Sequence, residues 1–139
     1  MEQNTSGYSA TPLAKKLGLK EGHKVLIINR PYHYWELFSD LPKSLVILKS
    51  GREEELDFIH LFVKSKEEME DRMIHIKPLL KKNGLIWVSW PKGKSRITTN
   101  LKRDYIREFI LDLGLVDVKV CSIDENWSGL KFVYRLKDR

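Results

Sequence analysis

The chain has 139 residues, 42% of them apolar and 32% charged, and a net charge of +6. That is one domain's worth of chain, able to bury a hydrophobic core without covalent staples. It has no apolar run long enough to span a bilayer, no basic-then-apolar leader in MEQNTSGYS and one cysteine, Cys121; a soluble, cytoplasmic protein without an internal disulfide is expected.

Residues 1–10 are polar and small and read as a flexible N-terminus, which leaves 11–139 as a single domain. Thr11-Pro12 opens a short helix that Gly18 ends. KVLIIN (24–29) is a continuous apolar run of strand length, the pattern of a strand covered on both faces, and Pro31 closes it. YHYWELFSDL (32–41) places Tyr34, Leu37, Phe38 and Leu41 on one helical face. SLVILK (44–49) and DFIHLFV (57–63) read as two further buried strands, separated by the charged loop from Gly51 to Glu55. A helix over 66–82 carries Met69, Met73, Ile76, Leu79 and Leu80 in one stripe, and Pro78 should kink or restart it.

Gly84 then reads as a helix stop before the fourth strand, LIWVSW (85–90). Thr99 or Asn100 is placed to cap a helix bearing Leu101, Tyr105, Phe109, Ile110 and Leu113, which Gly114 terminates. VDVKVCSI (116–123) and LKFVYRL (130–136) are the last strands. The link between them, Asp124 to Gly129, suits an antiparallel hairpin and is too short for a parallel crossover. Alternating strands and helices indicate a mostly parallel sheet with helices on both faces, a Rossmann-like α/β three-layer sandwich.

LKKNGLIWVSWP, with the helix, strand and hairpin that follow, resembles the class I methyltransferase fold. The resemblance implies strand order 2-1-3-4-6-5 with strand 6 antiparallel. It also implies a truncated sheet, because only a loop separates SLVILK from DFIHLFV. A second resemblance spans the whole chain: SGYSATPLAKKLGLKEG (6–22), DFIHLFVKS (57–65), GLIWVSWPK (84–92) and LGLVDVKVCSIDENWSGLKF (113–132) are similar to a small bacterial family, the domain of unknown function numbered thirty fifty-two. No activity comes with that family. Its members look to carry Gly where Ala10 stands, and a less basic loop after Lys92.

Methyl transfer from S-adenosylmethionine needs a glycine-rich turn after the first strand and an acidic residue ending the second, for the reasons that hold in dinucleotide folds. Here the first turn reads Asn29-Arg30-Pro31-Tyr32-His33 and the second strand ends Lys49-Ser50, so neither requirement is met and no cofactor is expected. Gly93-Lys94-Ser95 imitates the tail of a phosphate loop, but Val88 stands where its first glycine belongs. Ser89 lacks the glycines of a nucleophile elbow and reads as a buried hydroxyl bonded to backbone. His23, His33, His60 and His75 have no metal-ligand spacing; His60 reads as a satisfied core residue and Cys121 as a small hydrophobe, and no catalytic or metal residue is assigned. Asp124 to Gly129 reads as a structural turn, with Trp127 folding over the sheet edge.

One constellation remains. In open parallel sheets ligands bind beyond the carboxyl ends of the strands, where the strand order reverses. Those ends gather Arg30, His33, Lys49, Lys64, Ser65, Lys92, Lys94 and Ser95, and helix N-termini there add donors for an anion. From Lys92 to Arg107, six cations face Asp104 alone, a sum of +5 that favours anionic partners. The expected function is a non-catalytic, methyltransferase-like domain binding a small anionic ligand or an acidic protein at this rim. The alternatives are nucleic-acid binding through 92–107, with Tyr32, Tyr34 or Trp35 stacking, and an enzyme with an unrecognised site.

Overall fold

The computed structural model describes residues 11–139; the expectation for residues 1–10 lies outside them. In chain order the elements are α1 (Leu13–Leu17), β1 (Lys24–Ile28), β2 (Val46–Leu48), β3 (Leu56–Phe62), α2 (Lys66–Ile76), β4 (Leu80–Pro91), α3 (Arg103–Asp112), β5 (Leu115–Ser122) and β6 (Trp127–Tyr134). The strands form one sheet ordered β2-β1-β3-β4-β6-β5. Strands β1 to β4 run parallel, and β6 is antiparallel to both of its neighbours, as the methyltransferase resemblance implies.

The sheet has a core on each face. Ile59, Leu61, Met69, Met73, Ile86, Val88, Ile106 and Ile110 pack between the sheet and α2 and α3, with Phe109 partly buried against them. Ala14, Leu17, Tyr34, Phe58, Phe62, Trp87 and Trp127 pack on the opposite face under α1 and the 32–41 segment. Strand β3 is apolar on both sides because it lies between these cores, which explains a continuous apolar run where a half-exposed strand would alternate.

Several local expectations need correction. Residues 32–41 form only a short 3-10 turn, Tyr34–Leu37; Tyr34 and Phe38 are buried in contact with each other while Leu41 is 37% exposed, so the spacing that suggested a helix reflects one turn and the loop after it packed on the core. Strand β2 is a three-residue edge, not a buried strand: with no helix between it and β3, Val46 and Ile47 stay 43% and 50% exposed. Helix α2 stops at Ile76 and passes into a 3-10 turn, Lys77–Leu79, around Pro78. Trp127 is not folded over a sheet edge. It pairs with Pro91 at the start of β6, inside the sheet, and is buried against Phe62.

Gly84 lies within β4 instead of ending a helix. The β3–β4 register slips there, since Leu56 pairs with Leu80 but Phe58 with Leu85. A Cβ on Gly84 would come within 3.0 Å of the Leu56 and Asp57 carbonyl oxygens and 2.8 Å of Leu80 Cδ1. Gly84→Ala should therefore force the two strands apart and cost about 1–3 kcal/mol, read by urea denaturation; an unchanged midpoint would mean that the slip relaxes freely.

Candidate functional site

The carboxyl ends of β1, β3 and β4 make one rim of the molecule. At the switch point, between β1 and β3, Asn29 turns the chain with φ 59°, a left-handed conformation that Asn tolerates better than most residues. Its side-chain amide donates to the Phe62 carbonyl (3.2 Å) and to Glu68 Oε2 (3.0 Å), lacing β1 to β3 and α2. A cleft of about 370 Å³ opens here, lined by Asn29, Arg30, Pro31, Phe62, Lys64, Glu68 and Trp127. These residues do not fit S-adenosylmethionine as the sequence of the fold family would hold it. The turn has no glycine to let backbone approach the ligand, the Asn29 amide is already committed to Glu68, and exposed Lys49 follows β2 where a carboxylate would hold ribose.

A larger groove, about 630 Å³, lies beyond β4, between residues 91–103 and the start of α3. Lys92, Arg96, Lys102 and Arg103 line it together with Ser95, Thr98 and Thr99, and no acidic residue does. Helix α3, which starts at the groove, begins without a side-chain cap at Lys102 and carries Asp104 in its first turn. Thr99 and Asn100, expected to cap α3, act elsewhere. Thr99 donates to the Lys64 carbonyl and accepts from Leu101 N–H, while Asn100 Oδ1 accepts from Lys66 N–H. Together with Ser65, whose hydroxyl accepts from Glu68 N–H at 3.1 Å, Asn100 closes the N-terminus of α2.

Beneath the rim sits a closed polar cluster. His60 Nδ1 is 2.9 Å from the Tyr34 hydroxyl and His60 Nε2 is 2.8 Å from Ser89 Oγ. All three residues are fully buried. Ser89 is therefore bonded to a side chain rather than to backbone. Burial pushes His60 down to about 3, so it stays neutral, with one ring nitrogen donating and the other accepting. Phe62 stacks on its ring with centroids 4.3 Å apart and itself lines the cleft above, separating this cluster from the rim.

The eight rim residues are thus divided. Arg30 and Lys64 share the switch-point cleft; Lys92 and Ser95 line the groove, with Lys94 exposed between them. Ser65 is a helix cap, Lys49 is apart at the end of β2, and the Lys92 ammonium donates to Ser122 Oγ. His33 Nε2 lies 2.9 Å from Asp124 Oδ2. The other oxygen of Asp124 accepts from Asn126 and Trp127 N–H, so this carboxylate fixes the β5–β6 turn and ties it to the loop after β1. Sequence reading missed Arg96, Lys102 and Arg103 as groove residues, although the +5 segment contains all three; the signal was their charge, and their convergence needed the fold. Among the described residues no group of histidine, cysteine or acidic side chains could hold a metal ion, and no helix is long and apolar enough to cross a membrane.

The sheet order, the antiparallel β6 and the cleft at the switch point define a Rossmann-like, methyltransferase-like fold. Solved structures agree. A SAM-dependent methyltransferase from Aquifex aeolicus is 14% identical, with a TM-score of 0.61 and 86% of each chain covered. A TehB-like SAM-dependent methyltransferase from Corynebacterium glutamicum is 13% identical, with a TM-score of 0.53 over 83% of this chain and 82% of that one. The Methanococcus jannaschii fibrillarin, a pre-rRNA processing protein, is 12% identical, with a TM-score of 0.56 over 83% and 67%. At such identities the likeness is one of fold. No family model and no curated protein matches the chain.

Proposed function

We propose that this chain is a methyltransferase-like binding domain that takes a small anionic ligand in the groove between residues 91–103 and α3. The observation that carries this reading is the groove's lining, four cations and no carboxylate, at a helix start with no side-chain cap. The other two rim positions are less suited. The N-terminus of α2 is closed by Ser65 and Asn100, and the switch-point cleft contains Glu68. The departures from the cofactor pattern at Asn29 and Lys49 support binding without methyl transfer. The resemblance to the small bacterial family belongs to the same proposal; since that family's loop after Lys92 is less basic, the groove is a specialisation of this sequence.

A second reading, nucleic-acid binding, is favoured by Tyr32, whose ring is 92% exposed beside the cleft and can stack on a base. Against it, Arg107 is drawn away from the basic segment by Asp117 at 3.1 Å. Titration calorimetry with pyrophosphate, S-adenosylmethionine and single-stranded oligonucleotides separates the readings. Pyrophosphate should bind, and the Lys102→Ala, Arg103→Ala double variant should weaken it about tenfold or more, the worth of a charged hydrogen bond. Anion binding that the variant leaves unchanged would remove the groove from consideration. Tight oligonucleotide binding with a steep salt slope would favour the second reading, and S-adenosylmethionine binding would restore methyl transfer.

A further inference from the structure

We propose that the outer edge of β5 binds an extended acidic segment of a partner protein, which joins the sheet as a seventh strand. Strand β5 ends the sheet and is eight residues long, whereas the opposite edge, β2, has three. Among the described residues no backbone hydrogen bond outside the β5–β6 ladder reaches residues 116–121. Val118 and Val120 are 52% and 53% exposed, and Lys119 between them is exposed as well. A long edge with apolar side chains is a pairing template unless something blocks or occupies it.

Charge selects the occupant. Lys119 lies directly opposite Lys131 on β6, a like-charge cross-strand pair that weakens a sheet when nothing compensates it. Lys119 Nζ reaches the Lys16 carbonyl at 3.2 Å, and Lys131 Nζ packs beside Gly18, which places both lysines on the α1 face together with Lys20. None of these lysines forms an ion pair among the described residues. Burial, and then the charges of Lys119 and Lys20, hold the Lys131 ammonium below the ordinary lysine range. A strand added to β5 would set a side chain roughly 5 Å from Lys119 on this face. A carboxylate there offsets one of the two charges, and alternate apolar residues cover Val118 and Val120. A second copy of this chain is disfavoured, because it would bring lysine against lysine.

Hydrogen exchange of the full chain tests this, using an eight-residue peptide of alternating glutamate and valine as probe and its lysine–valine counterpart as control. The acidic peptide should slow exchange in residues 117–121 at least several-fold and saturably, and the control should not. In Lys119→Glu, an exposed change that the fold should tolerate, the preference should reverse. No slowing, or equal slowing by both peptides, would overturn the proposal. So would an acidic peptide that protects only the groove at Lys102 and Arg103. Residues 117–121 protected in the free chain but exposed after removal of residues 1–10 would show that the chain's own terminus is the occupant, and would overturn an external partner.

Discussion

Replacing Trp87 with alanine should lower stability by about 3–5 kcal/mol, the range for truncating a large buried aromatic. A domain of this size should then melt roughly 10–20 °C lower. Trp87 is fully buried in β4, with His60 of β3 and Lys131 of β6 as its lateral partners. Its indole N–H donates to the Leu17 carbonyl at 2.7 Å, so one side chain both fills the α1-side core and holds α1 to the sheet. That carbonyl belongs to the last turn of α1, where helix geometry leaves acceptors without partners. Alanine leaves a cavity and an orphaned acceptor together. Trp87→Phe keeps most of the volume and loses only the hydrogen bond, so it should cost about 1–3 kcal/mol. Hydrogen exchange of residues 13–19 should speed up in both variants. If the alanine variant melts within a few degrees of the unaltered protein, α1 is not carried by this contact.

Where periodicity reported burial, the sequence was a good guide. The runs at 24–29 and 57–63 are apolar because β1 and β3 lie inside a two-sided sheet, and the Met69–Met73–Ile76 stripe is the buried side of α2. It misled where the same composition has another cause. Tyr34, Leu37 and Phe38 have helical spacing and face one core, but only a single 3-10 turn forms; Tyr34 is also buried to meet His60, a contact 26 positions away in sequence that no local pattern encodes. Gly84 looked like a helix stop because glycine serves close approach as readily as chain reversal, and only the neighbouring β3 carbonyls distinguish the two.

The rim was legible as a location and not as a site. Strand ends collect lysines wherever water is, so the sequence could not say that Arg30 and Lys64 would share a cleft with Glu68 while Lys92 joined Arg96, Lys102 and Arg103. The deciding facts are caps. Asn100, which reads as the natural start of α3, leaves that helix and closes α2 instead. One helix start on the rim is thereby capped by side chains, and the other has no side-chain cap at Lys102.

The same three-dimensional logic makes acid stability a sharp test of the buried cluster. His60 has an ordinary value of 6.5 and is held at about 3 by burial, so between those limits the unfolded chain binds a proton that the folded chain refuses. Stability must fall with falling pH across that window, by up to about 1.4 kcal/mol per pH unit. His23, also lowered chiefly by burial, contributes in the same direction. Asp57 acts lower: burial would raise its carboxyl, but the Lys24 N–H and Lys81 together hold it below 3.8, so its share is lost only in stronger acid. A difference measurement isolates His60. His60→Leu alone would orphan the Tyr34 and Ser89 hydroxyls at about 1–3 kcal/mol each, whereas Tyr34→Phe, His60→Leu and Ser89→Ala together remove every member of the cluster. The triple variant should lie within about 2 kcal/mol of the unaltered protein at pH 7, since replacing all partners by apolar groups of similar shape is close to neutral. By pH 4.5 it should be the more stable of the two, because the unaltered protein has lost roughly 2–3 kcal/mol to this proton and the variant has no such proton to bind. Urea denaturation at half-unit pH intervals reads both curves. Parallel curves would mean that His60 takes up its proton inside the fold, and that the cluster is open to water.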